Sequence, residues 1–402
     1  MDYISVRQAA EKWGVSVRQV QALLKNNRIA GAERFDNHAW MIPAGATRPA
    51  DPRPGRLERG EPYHIGKEKS LSSDLDNIIK IHTTSPPLPW DEPDAAVKTI
   101  PMLLRMYCVG WLAYLRGDFE HTKQCFREID NEAVKLWACS LAVATAINMG
   151  DYPFYNEVES YCKSVIESDA DTNLTAVAQW ALITAYVGAF VPNMVPGWLK
   201  DGDFSSLPIP LKNEAFFKQT RYLYFQKNYK SVLDITRTAL TFIEQQEDGV
   251  SHPGIYLPII YAAACCVLGR LDEAEKYLLD IMNKCLPHGF ITPFTESLPL
   301  FGGMLEKLIE REYPGYYSSV TEQSEQTVKN WLDFHNRFTK DNITTILSRR
   351  DYQIALLAAQ GIPLNEIADR FHIAIGTLNN RLRIIYEKLF IKSKKELSQF
   401  VL

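Results

Sequence analysis

Leu364-Asn365-Glu366-Ile367-Ala368-Asp369-Arg370-Phe371-His372-Ile373-Ala374-Ile375-Gly376-Thr377-Leu378-Asn379-Asn380-Arg381-Leu382 decides how this chain is read. Leu364, Ile367, Ala368 and Phe371 recur at helical spacing, and after the turn His372-Ile373-Ala374 a longer helix is predicted from Ile375 to Leu389, with Leu378, Leu382, Ile385 and Leu389 as its buried stripe. Upstream, Ser348-Arg349-Arg350-Asp351 has the spacing of a capping box. The helix it opens carries Ile354, Leu357 and Ala358 and is stopped by Gly361 and Pro363. Three short helices with a tight turn before the last form a helix-turn-helix. Away from its apolar stripe the last helix presents Thr377, Asn379, Asn380, Arg381, Arg383 and Lys388. These residues can accept, donate or fork onto base edges and phosphates if the helix enters a major groove.

The run Asn365-Glu366-Ile367-Ala368, Thr377 to Leu382 and Ile385-Tyr386-Glu387-Lys388-Leu389 resembles the LuxR-type helix-turn-helix of bacterial regulators. The resemblance implies a cytoplasmic transcription regulator that binds double-stranded DNA. Three positions depart from it: Ala374 replaces a capping Ser, Asn379 a Lys, and Phe390 a helix-ending Gly. On the residues alone, a helical dimerisation module fits the same segment.

A second candidate reader opens the chain. Ser5-Val6-Arg7-Gln8 and Ser16-Val17-Arg18-Gln19 are capping boxes on either side of the turn Gly14-Val15. The first opens an amphipathic stretch of Val6, Ala9, Ala10 and Trp13, the second one of Val17, Val20, Leu23 and Leu24. Ala32 to Phe35, a polar tip at Asp36-Asn37, and Ala39 to Ile42 then read as a β-hairpin. This segment resembles the MerR-like or excisionase-like winged helix-turn-helix, on Ile4 to Ala10, Trp13 to Ser16, Ile29, Gly31 and Trp40 to Pro43. Arg18, Gln19, Gln21, Lys25 and Arg34 are its candidate DNA contacts, and Trp40 is expected to pack on the helices.

Charge is distributed unevenly over the 402 residues: residues 1–60 hold 10 basic and 6 acidic side chains, residues 348–402 hold 9 and 5, and the remainder 25 and 37. Attraction to phosphate is therefore expected at the two ends and not in the middle. All seven cysteines lie in that acidic middle among apolar residues, without a Cys-x-x-Cys, as reduced core thiols do. The longest apolar stretch, Leu257 to Leu268, is interrupted by Pro258 and too short to span a bilayer, so no membrane association is expected.

Residues 48–95 are rich in Pro, Arg, Gly and Asp and read as a linker with one short helix from Leu71 to Ile81. Beyond it a weak repeat recurs at Gly117-Asp118-Phe119, Gly150-Asp151-Tyr152, Lys227-Asn228-Tyr229 and Gly269-Arg270-Leu271. A turn former, a polar residue and an aromatic or aliphatic one, with a small residue three on, resembles the tetratricopeptide repeat. Stacked hairpins of that kind form a solenoid whose surface suits a peptide, small-molecule or protein ligand. Asp118 and Asp151 are expected to cap helices. The histidines are scattered and no phosphate-binding loop, His-Glu-x-x-His or Gly-x-Ser-x-Gly occurs, so no catalytic set, metal or cofactor is expected.

The reading is a mainly α chain: a MerR-like winged helix-turn-helix at 1–47, a linker at 48–95, a tetratricopeptide-like helical-repeat domain at 96–340, and a LuxR-type helix-turn-helix at 345–402. A homodimer is expected, because such readers pair to match symmetric half-sites. The alternative is an interaction scaffold whose terminal modules serve dimerisation.

Overall fold

Helix α1 (Val6–Trp13) begins where the capping box placed it. The Ser5 amide donates to Gln8 Oε1 at 2.9 Å and the Gln8 amide to Ser5 Oγ at 3.3 Å, so two orphan N–H groups are satisfied reciprocally. This computed structural model describes residues 3–13, 15, 17, 20–21, 24, 29, 31–35, 39–46, 68–84, 87–168, 171–244, 249–339, 347, 349–388 and 393–397. It forms two units, Met1–His64 and Ile65–Leu402.

In the first unit, β1 (Tyr3–Ile4), β2 (Glu33–Phe35) and β3 (Ala39–Pro43) make an antiparallel sheet in the order β1-β3-β2, with Arg34 opposite Trp40. Ala9, Ala10, Val20, Leu24, Ile29 and Ile42 form its core, against which Trp40 is partly buried. Val17, expected on the buried stripe, is instead 42% exposed.

The second unit is helical. Its elements are α2 (Glu68–Thr84), α3 (Met102–Leu115), α4 (Phe119–Arg127), α5 (Glu132–Met149), α6 (Tyr152–Glu167) and α7 (Thr172–Gly188). These are followed by α8 (Ile209–Phe225), α9 (Tyr229–Glu244), α10 (His252–Val267), α11 (Leu271–Cys285), α12 (Thr292–Ser297), α13 (Met304–Glu312) and α14 (Tyr317–Thr339). From α3 to α11 consecutive helices pack on one another, α5 also packs on α7, α8 packs on α10, α2 packs on α5, and the long α14 lies back against α5 and α12.

The four turns singled out in the sequence share one geometry. Gly117, Gly150, Lys227 and Gly269 take φ of 80°, 72°, 61° and 77°, the left-handed conformation that ends a helix. The following residue then starts the next helix: Asp118 and Asp151 accept the amides of His121 and Phe154 at 3.1 and 3.0 Å. At Gly150 there is a second constraint, since a Cβ would collide with the Asn330 amide that caps Asn148 from α14.

Three features add to the sequence reading. The helix expected from Leu71 to Ile81 is present and longer: α2 runs 17 residues and buries Leu75 and Ile78 in the same core as Trp137 and Trp180. Helix α10 continues through Pro258, because burial of Ile255, Tyr256, Leu257, Ile259 and Ile260 outweighs the roughly 3 kcal/mol that an interior proline costs. The connection around Pro192 to Pro210 contains a helical turn, Gly197–Asp201, anchored by buried Leu199. All seven cysteines are free and buried. Among the described residues no helix is long and apolar enough to cross a membrane.

Candidate nucleic-acid interface

The C-terminal segment has a core of its own. Helices α15 (Arg349–Ala359), α16 (Leu364–Arg370), α17 (Ile375–Lys388) and α18 (Lys394–Leu397) enclose Ile354, Leu357, Ile367, Leu378, Leu382 and Ile385, the stripe residues that periodicity selected. Gly361, at φ 89°, ends α15 with the Ile362 amide bonded back to Leu357 O at 3.1 Å. The turn before α17 repeats that closure with His372 at φ 49° and the Ile373 amide on Ala368 O at 3.0 Å. A non-glycine residue in this conformation costs on the order of 1 kcal/mol. Helix spacing marked the turn and could not show that His372 bears its strain. Nor could it show that Arg350 braces the turn, its guanidinium donating to Phe371 O at 2.9 Å.

The candidate DNA contacts divide by environment. Thr377, Asn379, Asn380 and Arg383 are exposed on α17, with Asn380 near the middle of the exposed face. Arg381 is half-buried: its Nη1 lies 2.9 Å from Asp351 Oδ1 on α15, and the Asp351 side chain is 10% exposed. The pair ties the last helix to the first. Lys388 ends α17, Arg34 lies in β2, and Gln21 is exposed in the first unit. Arg18, Gln19 and Lys25 lie outside the described residues, as do Ser16, Ser348, Leu389 and Phe390.

Ile375 and Ile384 add apolar surface to α17, at 42% and 40% exposure. Ala374 supplies only its carbonyl to the start of α17, accepting the Leu378 amide at 3.0 Å. Ala374→Ser is expected to stabilise this helix by about 1 kcal/mol by adding a side-chain cap. Amide exchange at Gly376 and Thr377 should slow; unchanged exchange would count against the capping account.

The segment is docked on the helical body at two points. Lys227, the left-handed residue between α8 and α9, donates to Ala359 O at 2.9 Å. The Arg370 guanidinium, paired with Glu366, packs on Gly302, where a Cβ would overlap it. Burial raises the neighbouring Glu306 carboxyl above its ordinary value, while Arg370 acts in the opposite direction.

Comparison with curated proteins and with solved structures finds no match to this chain. The profile of bacterial regulatory proteins of the luxR family matches residues 345–401, the part of the chain that holds α15 to α18. Residues 345–401 are a LuxR-family helix-turn-helix domain.

Proposed function

We propose that this chain is a DNA-binding transcriptional regulator whose α17 reads the major groove. The exposed polar face of α17, held on an independent apolar core, carries this reading. Asn379 and Asn380 have the paired donor and acceptor that match adenine, Arg383 suits guanine or phosphate, and Thr377 lies at the entering end. Arg381 contributes by fixing α17 against Asp351, with its exposed edge toward phosphate, and Lys388 is a further candidate contact. In this reading the first unit is a second, MerR-like reader using Arg18, Gln19, Gln21, Lys25 and Arg34. The paired helices with shared left-handed turns are a tetratricopeptide-like domain that senses a ligand or joins two copies.

The test is fluorescence polarisation of the full chain on genomic duplex fragments across a salt series. Selective binding that weakens steeply with salt is expected, and it should vanish when residues 345–402 are removed. Persistence of that binding without 345–402 would refute the assignment to α17. Exposed Ile375 and Ile384 favour the alternative of a scaffold whose terminal domain dimerises, which predicts a dimer by sedimentation and no DNA binding.

A further inference from the structure

The helical body encloses a cavity of about 590 Å³ among α2, α3, α5, α7, α8 and α10, within the size range of small-molecule sites. Its walls are aromatic, with Tyr107, Trp111, Trp137, Trp180 and Phe217 among them. Of the buried side-chain N and O atoms that lack a partner among the described residues, five belong to residues lining this one space: His82 Nε2, Asn148 Oδ1, Trp180 Nε1, Arg221 Nε and His252 Nδ1. Unpaired buried polar groups are costly and uncommon, so their concentration around an open volume marks a built site.

The charges specify what is missing. The Glu296 carboxylate is satisfied by Tyr114 and Asn148 on one oxygen, at 2.5 and 2.8 Å, and by Tyr256 on the other, at 2.8 Å. Lys218 donates to Trp180 O at 3.2 Å and to Thr184, and the Glu214 charge offsets its own. Arg221 is 6% exposed, its guanidinium 5.0 Å from the Trp331 ring centroid. Among the described residues no carboxylate reaches ion-pair distance of it. Burial, reinforced by the charges of Lys218 and Arg221, pulls the His252 imidazole down to about 3, so this ring is neutral beside them.

We infer that this cavity binds a small aromatic carboxylate, its single negative charge paired with Arg221 and its ring among the tryptophans. A planar carboxylate matches the guanidinium fork, and a single charge suits a buried cation on which Glu296 acts without direct contact. A doubly charged phosphate would require donors that Lys218 and Asn148 Nδ2 already spend on protein acceptors. This deepens the sensing role proposed for the helical domain and rests on that part of the reading.

The experiment titrates the full chain by calorimetry with naphthylacetate, naphthylethanol and naphthylethylamine, probes that share one ring system and differ in charge. The acid is expected to bind at least about 10-fold more tightly than the alcohol, and the amine least. Arg221→Met should weaken the acid on the order of 30-fold or more and leave the alcohol unchanged, whereas Arg221→Lys should retain part of the preference for the acid. Circular dichroism establishes that both variants are folded, and Met is an apolar replacement of similar volume that buried charged sites tolerate. Equal binding of acid and alcohol, strongest binding of the amine, or no binding of the acid at millimolar concentration would overturn the inference. No DNA enters the titration, so its outcome and that of the polarisation assay are independent.

Discussion

Glu296→Ala is expected to destabilise the helical body by about 3–5 kcal/mol, the cost of breaking a buried, charge-assisted network. Tyr114 from α3, Asn148 from α5 and Tyr256 from α10 converge on this carboxylate from α12, and all four side chains are buried. Removing it leaves the Tyr114 and Tyr256 hydroxyls without their acceptor, while the Asn148 amide keeps Ala144 O at 3.0 Å. The substitution also removes a carboxylate charge that favours the charged form of Arg221. Glu296→Gln keeps one acceptor oxygen and should cost less. Urea unfolding of the full chain followed by circular dichroism measures both, and a loss under about 1 kcal/mol for the alanine variant would show that the network is not a keystone. Burial, reinforced by the Glu296 charge, raises the phenols of Tyr114 and Tyr256 well above 10.0. For an acid whose folded pKa is raised, the stabilisation is complete below the unfolded value and declines above it. The body should therefore lose stability as pH rises beyond about 10.

Asn380→Glu should weaken binding of the full chain to its selected duplex by about 100-fold or more. A side chain paired to a base edge is worth roughly 1–3 kcal/mol, and a carboxylate at that point adds repulsion from the phosphates. The fold should be indifferent to the change, because Asn380 is exposed and Glu is a good helix former. Polarisation on the selected duplex and on scrambled DNA separates the effects: the selected duplex should lose most. A variant that binds as the parent does would place α17 outside the groove and move the search to the dimerisation alternative.

The parts of this chain that were legible in sequence are those where local chemistry and tertiary packing agree. Ser5 and Gln8 cap α1 as their spacing required, and Ile354, Ile367, Leu378, Leu382 and Ile385 are buried as their period required. The same holds for the turns at Gly117, Gly150 and Gly269, where the residue that can take positive φ is the residue present. Lys227 takes that conformation without being glycine, and its position in a repeat was the only sign of it. Helix α2 was legible as an element, but its docking was not, because only the folded chain gives Leu75 and Ile78 a core to enter.

The candidate site divides in the same way. Thr377, Asn379, Asn380 and Arg383 could be chosen from helical phase, since exposure on an amphipathic helix follows from its apolar stripe. The partner of Arg381 could not, because Asp351 lies 30 residues earlier and meets it only when α15 packs on α17. By itself, then, the sequence determined which segments are helical, which faces are apolar, and that the terminal module is a helix-turn-helix, all matters of short-range period and capping. Tertiary structure alone decided the cavity and its charge. Arg221, Glu296, Asn148 and His252 come from four separate helices, and whether a buried charge is compensated depends on distances that no local pattern encodes.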